Sequence, residues 1–325
     1  ADAYQKGIRN FDHALALKAM TEYAESGRFG LKVYDKQGFL GNDADNESAS
    51  KTVEYAYDDW CIAQFAKWIG NEEVYKKYTK RSLNYRNLFD PSTFHIRGKV
   101  HGFWYSPFDA TEVNNFFTEG NSWHYSFTAQ QDIDGLIKMY GGKENFLKKL
   151  HELFTTSKQL SGRDQSDVTG LIGQYAHGNE PSHHMAYLFN YGGQPWRTQE
   201  IIHKICTEFY PNNPDGLIGN EDCGQMSAWF VLSAMGIYEV TPGSGTYVFG
   251  TPLFDEVKIN LENGKSFFIK TKNRTAANFY INNTWLNKKP YPFSYIKNTD
   301  FENGGELLFD MSAVPNKQRG AADDM

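Results

Sequence analysis

Apolar side chains recur at helical spacing through most of the first 240 residues. Between residues 10 and 26, for example, Phe11, Leu15, Ala19 and Tyr23 follow one another every four positions, as on one face of an α-helix. Similar patterns predict seven more helices, over residues 46–70, 71–89, 121–142, 142–156, 180–193, 197–210 and 223–240. The first part of the chain is therefore predicted to be helical.

Four long polar loops separate these helices. They are rich in Gly, Asn, Asp and Pro and cover residues 36–47, 90–121, 160–180 and 211–224. Several helices carry bulky apolar residues on more than one face, which indicates burial between neighbours. Helical hairpins whose long loops gather at one end are typical of an (α/α)6 toroid, with the site on those loops. The predicted helices are too few for six hairpins, so we expect the remaining barrel helices elsewhere in the same protein.

The pattern changes to alternation after residue 245. Five segments alternate apolar with polar residues and are rich in β-branched and aromatic side chains, namely residues 246–252, 256–262, 265–272, 278–286 and 306–312. Turn residues separate them. The sequence thus predicts a mainly α fold in two parts: a helical domain over residues 1–245, part of an (α/α)6 toroid, and a small antiparallel β segment over residues 246–325.

Composition narrows the possible functions. The net charge is −6, without a basic stripe, which argues against a nucleic-acid partner. No apolar run approaches the roughly 20 residues of a membrane-spanning helix. The three cysteines, Cys61, Cys206 and Cys223, match neither a metal motif nor a disulfide framework. Aromatic residues form 16% of the chain, which suits a large core and also flat surfaces on which sugar rings stack.

Glu119 is the first candidate for chemistry. It follows a long loop and precedes a predicted helix, so it either stabilises the helix dipole or acts as an acid. Trp104, Phe116, Phe117 and Trp123 are its aromatic neighbours along the sequence. Apolar surroundings raise the pKa of a carboxyl, as a general acid at neutral pH requires.

A second polar segment lies between residues 175 and 191. It contains His177, Asn179, Glu180, His183 and His184. Adjacent histidines project about 100° apart on a helix and make a poor zinc pair. Asn179 and Glu180 offer oxygen ligands, which suit calcium, although Glu180 followed by proline also simply begins a helix.

Two further segments contain paired carboxylates. Glu221 and Asp222 lie between glycines before a predicted helix. Asp222 either caps that helix or takes part in chemistry. Asp58 and Asp59 lie inside a helix rich in aromatic residues, as surface charges or as groups that hold sugar hydroxyls. Glycoside hydrolysis needs two carboxyls, one protonated to release the leaving oxygen and one ionised. Glu119 and Asp222 are the candidates for these two roles.

Three long motifs carry a resemblance to a known family. They are HGFWYSPFDATEVNNFFTEGNSWHYSF, GLIGQYAHGNEPSHHMAYLFNYGGQPW and GNEDCGQMSAWFVLSAMGIYEVTPGSGTYVFGTPLF, in that order. With them the chain resembles glycoside hydrolase family 92, a family of calcium-dependent, exo-acting α-mannosidases. The resemblance covers most of the chain and implies a hydrolase that releases terminal mannose from N-glycans or mannans with inversion.

The resemblance also implies roles for individual residues. Its TEGNxWxY motif implies that Glu119 is the general acid, and its GxEDxGxMSAW motif implies that Asp222 is the general base. Asn220 stands where family members often have a second Asp. In an inverting enzyme the two carboxyls are expected about 6.5–9.5 Å apart, which leaves room for a water molecule.

Calcium and substrate contacts follow from the same resemblance. A Ca²⁺ ion is expected to bind the mannose O2 and O3 hydroxyls, with Asn179 and Glu180 as its candidate protein ligands. The expected substrate contacts are Asp58, Asp59, Trp104, Trp123, His177, Gly178 and Asn220. His177 and Gly178 would touch the outgoing sugar, and the two tryptophans would stack on sugar rings.

The implied partner is an α-mannoside oligosaccharide or the glycan of a glycoprotein. The resemblance further implies an N-terminal β-sandwich in the same protein, and the substrate class implies a place outside the cytoplasm, secreted, periplasmic or at the surface. One alternative is a non-catalytic mannose- or glycan-binding relative, against which the presence of both Glu119 and Asp222 argues. Another is a polysaccharide lyase, which generally needs a basic pocket that a net charge of −6 does not favour.

Overall fold

A computed structural model describes residues 1–320. The chain forms two compact units, Ala1–Ala176 and His177–Met325. This division does not test the domain boundary predicted between residues 245 and 246, which stays a prediction. Each unit is built around its own apolar core.

The first unit contains most of the helices. They are α1 (Asp2–Gln5), α2 (His13–Ala24), α3 (Leu31–Gln37), α4 (Ser48–Trp68), α5 (Glu72–Arg81), α6 (Ser122–Tyr125), α7 (Ile133–Met139) and α8 (Lys143–Thr155). Short strands pair within its loops: β1 (Phe89–Asp90) with β2 (His95–Ile96), β3 (Lys99–Val100) with β4 (Phe103–Trp104), β5 (Glu112–Val113) with β6 (Ser161–Gly162), and β7 (Leu171–Ile172) with β8 (Tyr175–Ala176). The long loops are thus partly ordered by strand pairs.

Helix α4 is the central element of the first unit. Its residues Ile62, Ala63, Phe65 and Ala66 pack with Leu17 of α2 and Tyr78 of α5 in one apolar cluster. Small residues on several faces of α4 let neighbouring helices approach closely, and its buried positions are spread around the helix. The prediction that some helices are buried on more than one face is confirmed for α4.

The prediction of one continuous helix over residues 121–142 is wrong, because the segment is interrupted. The chain forms α6, a 3-10 turn at Gln130–Asp132 and then α7. The carboxylate of Asp132 accepts a hydrogen bond from the Gly135 N–H at 3.2 Å and caps α7. A new cap in the middle of an apolar stretch starts a second helix, and hydrophobic spacing alone does not reveal it.

The second unit combines helices with two sheets. Its helices are α9 (Leu188–Tyr191), α10 (Pro195–Glu208), α11 (Gln225–Met235) and α12 (Asn298–Phe301). Its strands are β9 (Ile237–Tyr238), β10 (Thr246–Phe249), β11 (Glu256–Asn260), β12 (Ser266–Lys272), β13 (Tyr280–Leu286), β14 (Lys289–Pro290), β15 (Tyr295–Lys297) and β16 (Gly305–Ser312). They form one sheet in the order β15-β10-β9 and another in the order β11-β12-β16-β13-β14.

The larger sheet corrects the predicted antiparallel β segment. Strand β16 lies between β12 and β13, antiparallel to β13 but parallel to β12. A strand inserted between two strands of opposite direction must be parallel to one of them. The sheet is therefore mixed, and the whole chain is a mixed α and β fold rather than a mainly α one.

The inner faces of the two sheets share one apolar core. Phe249 of β10, Ile269 of β12 and Phe309 of β16 are among its buried members. Buried and partly exposed positions alternate along β16, as the period of a strand requires. This core holds the strands that follow α11.

Two properties bear on the environment of the chain. Within residues 1–320, no helix combines the length and the apolar character that crossing a membrane requires. Cys61, Cys206 and Cys223 are free thiols.

Candidate active site

The loop before Glu119 is tied to two helices of the first unit. The hydroxyl of Ser50 in α4 accepts a hydrogen bond from the Thr118 N–H at 2.8 Å, and the hydroxyl of Tyr125 in α6 donates one to the Thr118 carbonyl at 2.9 Å. Glu119 itself has a φ of 49°, in the left-handed region that residues other than glycine seldom adopt. Backbone of this kind persists where neighbours fix it, and it is common at functional positions.

Glu119 does not cap the helix that follows it. Asn121 is the N-cap of α6, since its Oδ1 accepts a hydrogen bond from the His124 N–H at 3.3 Å while His124 Nδ1 accepts one from the Asn121 N–H at 3.3 Å. The first turn of α6 contains no acidic residue. Glu119 lies two residues before this N-cap, outside the first turn of α6, so Asn121 and not Glu119 forms the cap of the helix.

Aromatic residues surround this loop, as the sequence suggests. Phe116 and Phe117 are buried, and Phe117 stacks on Tyr125 with ring centroids 5.5 Å apart. The stacked pair supports the backbone on both sides of Glu119. Glu119 itself is partly exposed, and the predicted effect of these rings on its pKa stays a prediction.

The two tryptophans predicted to stack on sugars have other neighbours here. Trp123 is only 7% exposed, and the Lys149 ammonium lies 4.3 Å from its ring centroid. The Lys99 ammonium lies 4.2 Å from the ring centroid of Trp104, which is half-buried. Cation–π contacts thus occupy one face of each ring. Burial favours a core role for Trp123, and sugar stacking stays a prediction for both residues.

One face of α4 connects the Glu119 loop with a cavity in the first unit. Ser50, Glu54, Asp58 and Cys61 follow one another at helical spacing and share that face. Ser50 holds Thr118, and a carboxylate oxygen of Glu54 lies 3.5 Å from the Tyr125 hydroxyl. Asp58 and Cys61 line a cavity of about 420 Å³. The two groups of predicted site residues in this unit are therefore joined by a single helix.

Asp58 and Asp59 differ in their surroundings. Asp58 is exposed where it lines the cavity. Desolvation by the surrounding protein raises its pKa. Asp59 is buried and accepts hydrogen bonds from the Tyr34 hydroxyl at 2.8 Å and from Arg81 Nε at 3.1 Å. Burial raises the pKa of Asp59 to about 6, against the opposing effect of Arg81 and Tyr34, so its carboxylate is ionised at neutral pH. Asp58 remains the better candidate for a sugar hydroxyl.

Arg81 was not among the predicted residues, and it organises this cavity. Its guanidinium bridges Asp59 and Asp35, at 3.1 Å and 2.8 Å. We expect Arg81→Met to lower the free energy of unfolding by about 3–5 kcal/mol, because it leaves a buried carboxylate without its partner. Chemical denaturation of the intact protein measures this loss.

Lys76→Met is the matched control. The Lys76 ammonium pairs with Glu72 at 3.2 Å across one turn of α5, and both side chains are well exposed. An exposed pair of this kind contributes less than about 1 kcal/mol. Equal losses from Arg81→Met and Lys76→Met would contradict a structural role for the buried pair.

Asp222 lies in a tight turn of the second unit just before α11. Asp222 and Cys223 have φ values of 53° and 55°, and Gly224 follows at 102°. The Glu221 carboxylate accepts hydrogen bonds from the N–H groups of Gly224 and Ser227, so Glu221 rather than Asp222 satisfies the start of α11. The capping interpretation of Asp222 is therefore wrong. Its side chain is exposed, in a backbone conformation as unusual as that of Glu119.

Buried histidines attach the loop after residue 176 to α11. Trp229 Nε1 donates a hydrogen bond to the His183 carbonyl at 3.0 Å, and Gln225 Nε2 lies 3.2 Å from His183 Nδ1. His177 Nε2 lies 2.7 Å from the Tyr210 hydroxyl. Burial lowers the pKa of His177 to about 2 and that of His183 to about 4, so both rings are neutral at physiological pH. Residues of the polar segment 175–191 thus contact α11, the helix that follows Asp222.

His177 and Gly178 lie in the interior rather than on an open surface. His177 has no exposed area, and Gly178 is buried. The ring of His177 packs on Trp229 with centroids 4.3 Å apart, which orders the loop. The predicted contact of these two residues with an outgoing sugar stays a prediction, and burial does not favour it for the His177 side chain. Asn220 is exposed in the loop before Asp222.

Asn179 and Glu180 are the two predicted calcium ligands. Asn179 is 4% exposed with an extended backbone, and the exposed Glu180 begins a 3-10 turn at Glu180–Ser182. Amide and carboxylate oxygens are the donors that Ca²⁺ prefers, in sites of six to eight ligands. Within residues 1–320, no group of three or more His, Cys, Asp or Glu is placed to hold a metal. The pair therefore fits calcium chemically and leaves most ligands to other kinds of group, to water or to atoms outside these residues.

Comparison with known proteins identifies a family over most of the chain. Residues 1–313 match the glycosyl hydrolase family 92 catalytic domain. A protein of Arthroderma benhamiae described as an uncharacterized secreted glycosidase is 29% identical over 94% of this chain and 43% of its own length.

Solved structures give the same result. A family GH92 α-mannosidase of Bacteroides thetaiotaomicron in complex with mannoimidazole matches at a TM-score of 0.94 and 40% identity, over 99% of this chain and 44% of its own. A family GH92 inverting mannosidase of the same species matches at 0.90 and 37% identity, over 98% of this chain and 46% of its own. The chain spans less than half the length of these relatives. It belongs to glycosyl hydrolase family 92 and lies within the catalytic domain of that family.

Proposed function

We propose that the protein is a calcium-dependent, inverting exo-α-mannosidase that releases terminal mannose from N-glycans or mannans. The observation that carries this proposal is the backbone conformation of Glu119 and Asp222 and their position in loops before helices. Both have left-handed backbone conformations in loops attached to helices, and neither is needed to start the helix that follows it. A structural relative bound to mannoimidazole supports a mannoside as the substrate class.

In this proposal Glu119 supplies the proton that the leaving oxygen needs. A carboxyl does so only while it is protonated, and the aromatic residues around the loop favour the neutral form. The hydrogen bonds of Thr118 to Ser50 and Tyr125 fix the backbone beside the acid. Correct orientation of the proton toward the leaving oxygen then costs little further entropy.

Asp222 removes a proton from the attacking water. Its exposure and the turn that presents it suit a base that must stay ionised and reach solvent. Attack by water from the face opposite the leaving group inverts the anomeric centre and releases β-mannose first. Glu221 holds the turn in place through its bonds to the N–H groups at the start of α11.

Asn179 and Glu180 would hold the calcium ion. When bound, the ion supplies positive charge that binds the mannose O2 and O3 hydroxyls. His183, three residues after Glu180, is held to α11 by its contacts with Trp229 and Gln225, which anchors the loop that carries both oxygen donors. Asp58, on the cavity wall of the first unit, is proposed to accept a hydrogen bond from another mannose hydroxyl.

The proposal extends to the parts of the protein around this chain. We propose that the helices of the first unit belong to an (α/α)6 toroid completed by helices outside the chain, together with an N-terminal β-sandwich. The substrate class and the secreted description of the fungal relative support a place outside the cytoplasm. The proposed partner is an α-mannoside oligosaccharide or a glycoprotein glycan.

Hydrolysis of an aryl α-mannoside by the intact protein tests this function. Proton NMR should show β-mannose as the first product, followed by slow mutarotation. A strong calcium chelator should lower the rate about tenfold or more, because the ion's charge is lost from the site, and added Ca²⁺ should restore it. Chelator already saturated with Ca²⁺ is the control.

Three outcomes separate the alternatives. If α-mannose appears first, or if the chelator has no effect, the inverting calcium-dependent mechanism is wrong. If calorimetry shows that the protein binds mannose or mannobiose without any hydrolysis, the non-catalytic glycan-binding alternative is correct.

A further inference from the structure

Glu54 is a carboxyl on the α4 face that joins the Glu119 loop with the cavity. It lies one turn after Ser50, which holds Thr118, and one turn before Asp58. Its carboxylate oxygen is 3.5 Å from the hydroxyl of Tyr125. The sequence motifs gave it no role, and neither does the mechanism above.

The Tyr125 hydroxyl relates Glu54 to the backbone beside Glu119. It lies 2.9 Å from the Thr118 carbonyl and 3.5 Å from a carboxylate oxygen of Glu54, and it can donate its proton to either acceptor. Donation to Glu54 favours the ionised form of that carboxyl and lowers its pKa. The Tyr125 hydroxyl therefore places the charge of Glu54 beside Thr118, the residue that precedes Glu119.

Charges around Glu54 come from three elements. On α4 and at its start, Asp58 and Glu47 oppose ionisation of Glu54 and Lys51 favours it, while from α6 the Tyr125 hydroxyl favours it. Glu119 belongs to the loop before α6, and its charge acts on the same Tyr125 hydroxyl as that of Glu54. The Glu54 residue is exposed, and desolvation of its carboxyl, followed by the charge of Asp58, raises its pKa to about 7.

We propose that Glu54 is a positioning residue that keeps Glu119 protonated as the pH rises, through its negative charge and its contact with Tyr125. The inference rests on the proposed function of Glu119 as the general acid. Above neutral pH an ionised Glu54 disfavours a second negative charge nearby, so Glu119 holds its proton to a higher pH than it otherwise would. The catalytic proton still comes from Glu119.

The pH dependence of kcat in the intact protein tests this role. Glu54→Gln keeps the size of the side chain and removes its charge. The alkaline limb of the kcat–pH profile of this variant should move to lower pH by about 0.5–1 unit, because Glu119 then loses its proton at a lower pH. On that limb the rate should fall about three- to tenfold below that of the wild-type protein, while the rate on the acidic side of the optimum stays close to it.

Three variants complete the experiment. Glu54→Asp keeps the charge and should keep the alkaline limb of the wild type. Glu54→Ala, a second neutral variant, should shift the limb as Glu54→Gln does and serves if Glu54→Gln does not fold. Glu72→Gln, an exposed acid at the start of α5, removes the same charge elsewhere in the unit and should leave the limb in place.

The outcomes distinguish this inference from the proposed function. If the wild-type protein hydrolyses α-mannosides and neutral variants at Glu54 leave the alkaline limb unmoved, the role of Glu54 is wrong and the function stands. A shift of equal size in Glu54→Asp would show an effect of packing rather than of charge and would also overturn the inference. If the wild type does not hydrolyse α-mannosides, the function is wrong and the inference falls with it.

Discussion

Glu119→Gln is expected to lower kcat for α-mannosides with poor leaving groups by about 10²–10⁴-fold, the usual contribution of a general acid. Glutamine has nearly the same size and can keep the loop conformation that Thr118 anchors, but it has no carboxyl proton to give. Binding of mannose should remain largely intact. Kinetics with methyl or disaccharide α-mannosides measure the loss, and calorimetry with mannose measures binding.

The leaving group provides a sharper form of this test. A dinitrophenolate leaves without a proton, so a dinitrophenyl α-mannoside should recover most of the activity that Glu119→Gln loses on poor leaving groups. Glu144→Gln, an exposed acid in the first turn of α8, is the matched control and should hydrolyse both substrates at the wild-type rate. Equal losses on both substrates would show that Glu119 does not act as the acid.

Local sequence signals located the loops of the candidate site residues, but not the contacts that these residues make. The loops that carry Glu119 and Asp222 were recognisable because polar and glycine residues interrupt apolar helices. Whether each carboxylate caps its helix could not be read from type and spacing. Asn121 and Glu221 lie within two residues of the two candidates and are equally suited to capping, and only backbone geometry shows that they take that role.

Contacts between distant segments could not be predicted from the sequence, for a different reason. Arg81 and Asp59 are separated by 22 residues, and no local pattern indicates which arginine pairs with a buried carboxylate. Helix α3 was missed because it has only seven residues, between Gly30 and Gly38 in left-handed conformations, and periodicity needs a longer window. Glu54 did leave a signal, one turn before Asp58, but that spacing is also common on exposed helix faces.

The strand order shows the same limit at the level of a whole sheet. The alternation of apolar and polar residues correctly located β10, β12, β13 and β16, because it shows which side chains of a strand face the core. The same alternation does not show which strands are neighbours. The insertion of β16 between β12 and β13, and hence the parallel pair, follows from tertiary packing of the apolar core.

Asp222→Asn is expected to lower kcat by about 10²–10⁴-fold on every α-mannoside, whatever its leaving group. Activation of water is needed in each case, and an amide cannot take the proton. Asparagine tolerates the left-handed conformation that residue 222 has, so the turn before α11 should form as in the wild type. Parallel assays with methyl and dinitrophenyl α-mannosides measure the two losses.

The contrast between the two variants assigns the roles. A good leaving group should rescue Glu119→Gln and should not rescue Asp222→Asn, because protonation of the leaving oxygen and deprotonation of water are separate demands on separate carboxyls. Asp215→Asn, an exposed acid in the same loop as Asp222, is the control and should be fully active. Rescue of Asp222→Asn by dinitrophenolate would place the acid at Asp222, whereas full activity of Asp222→Asn would require the base to lie on another residue of the protein.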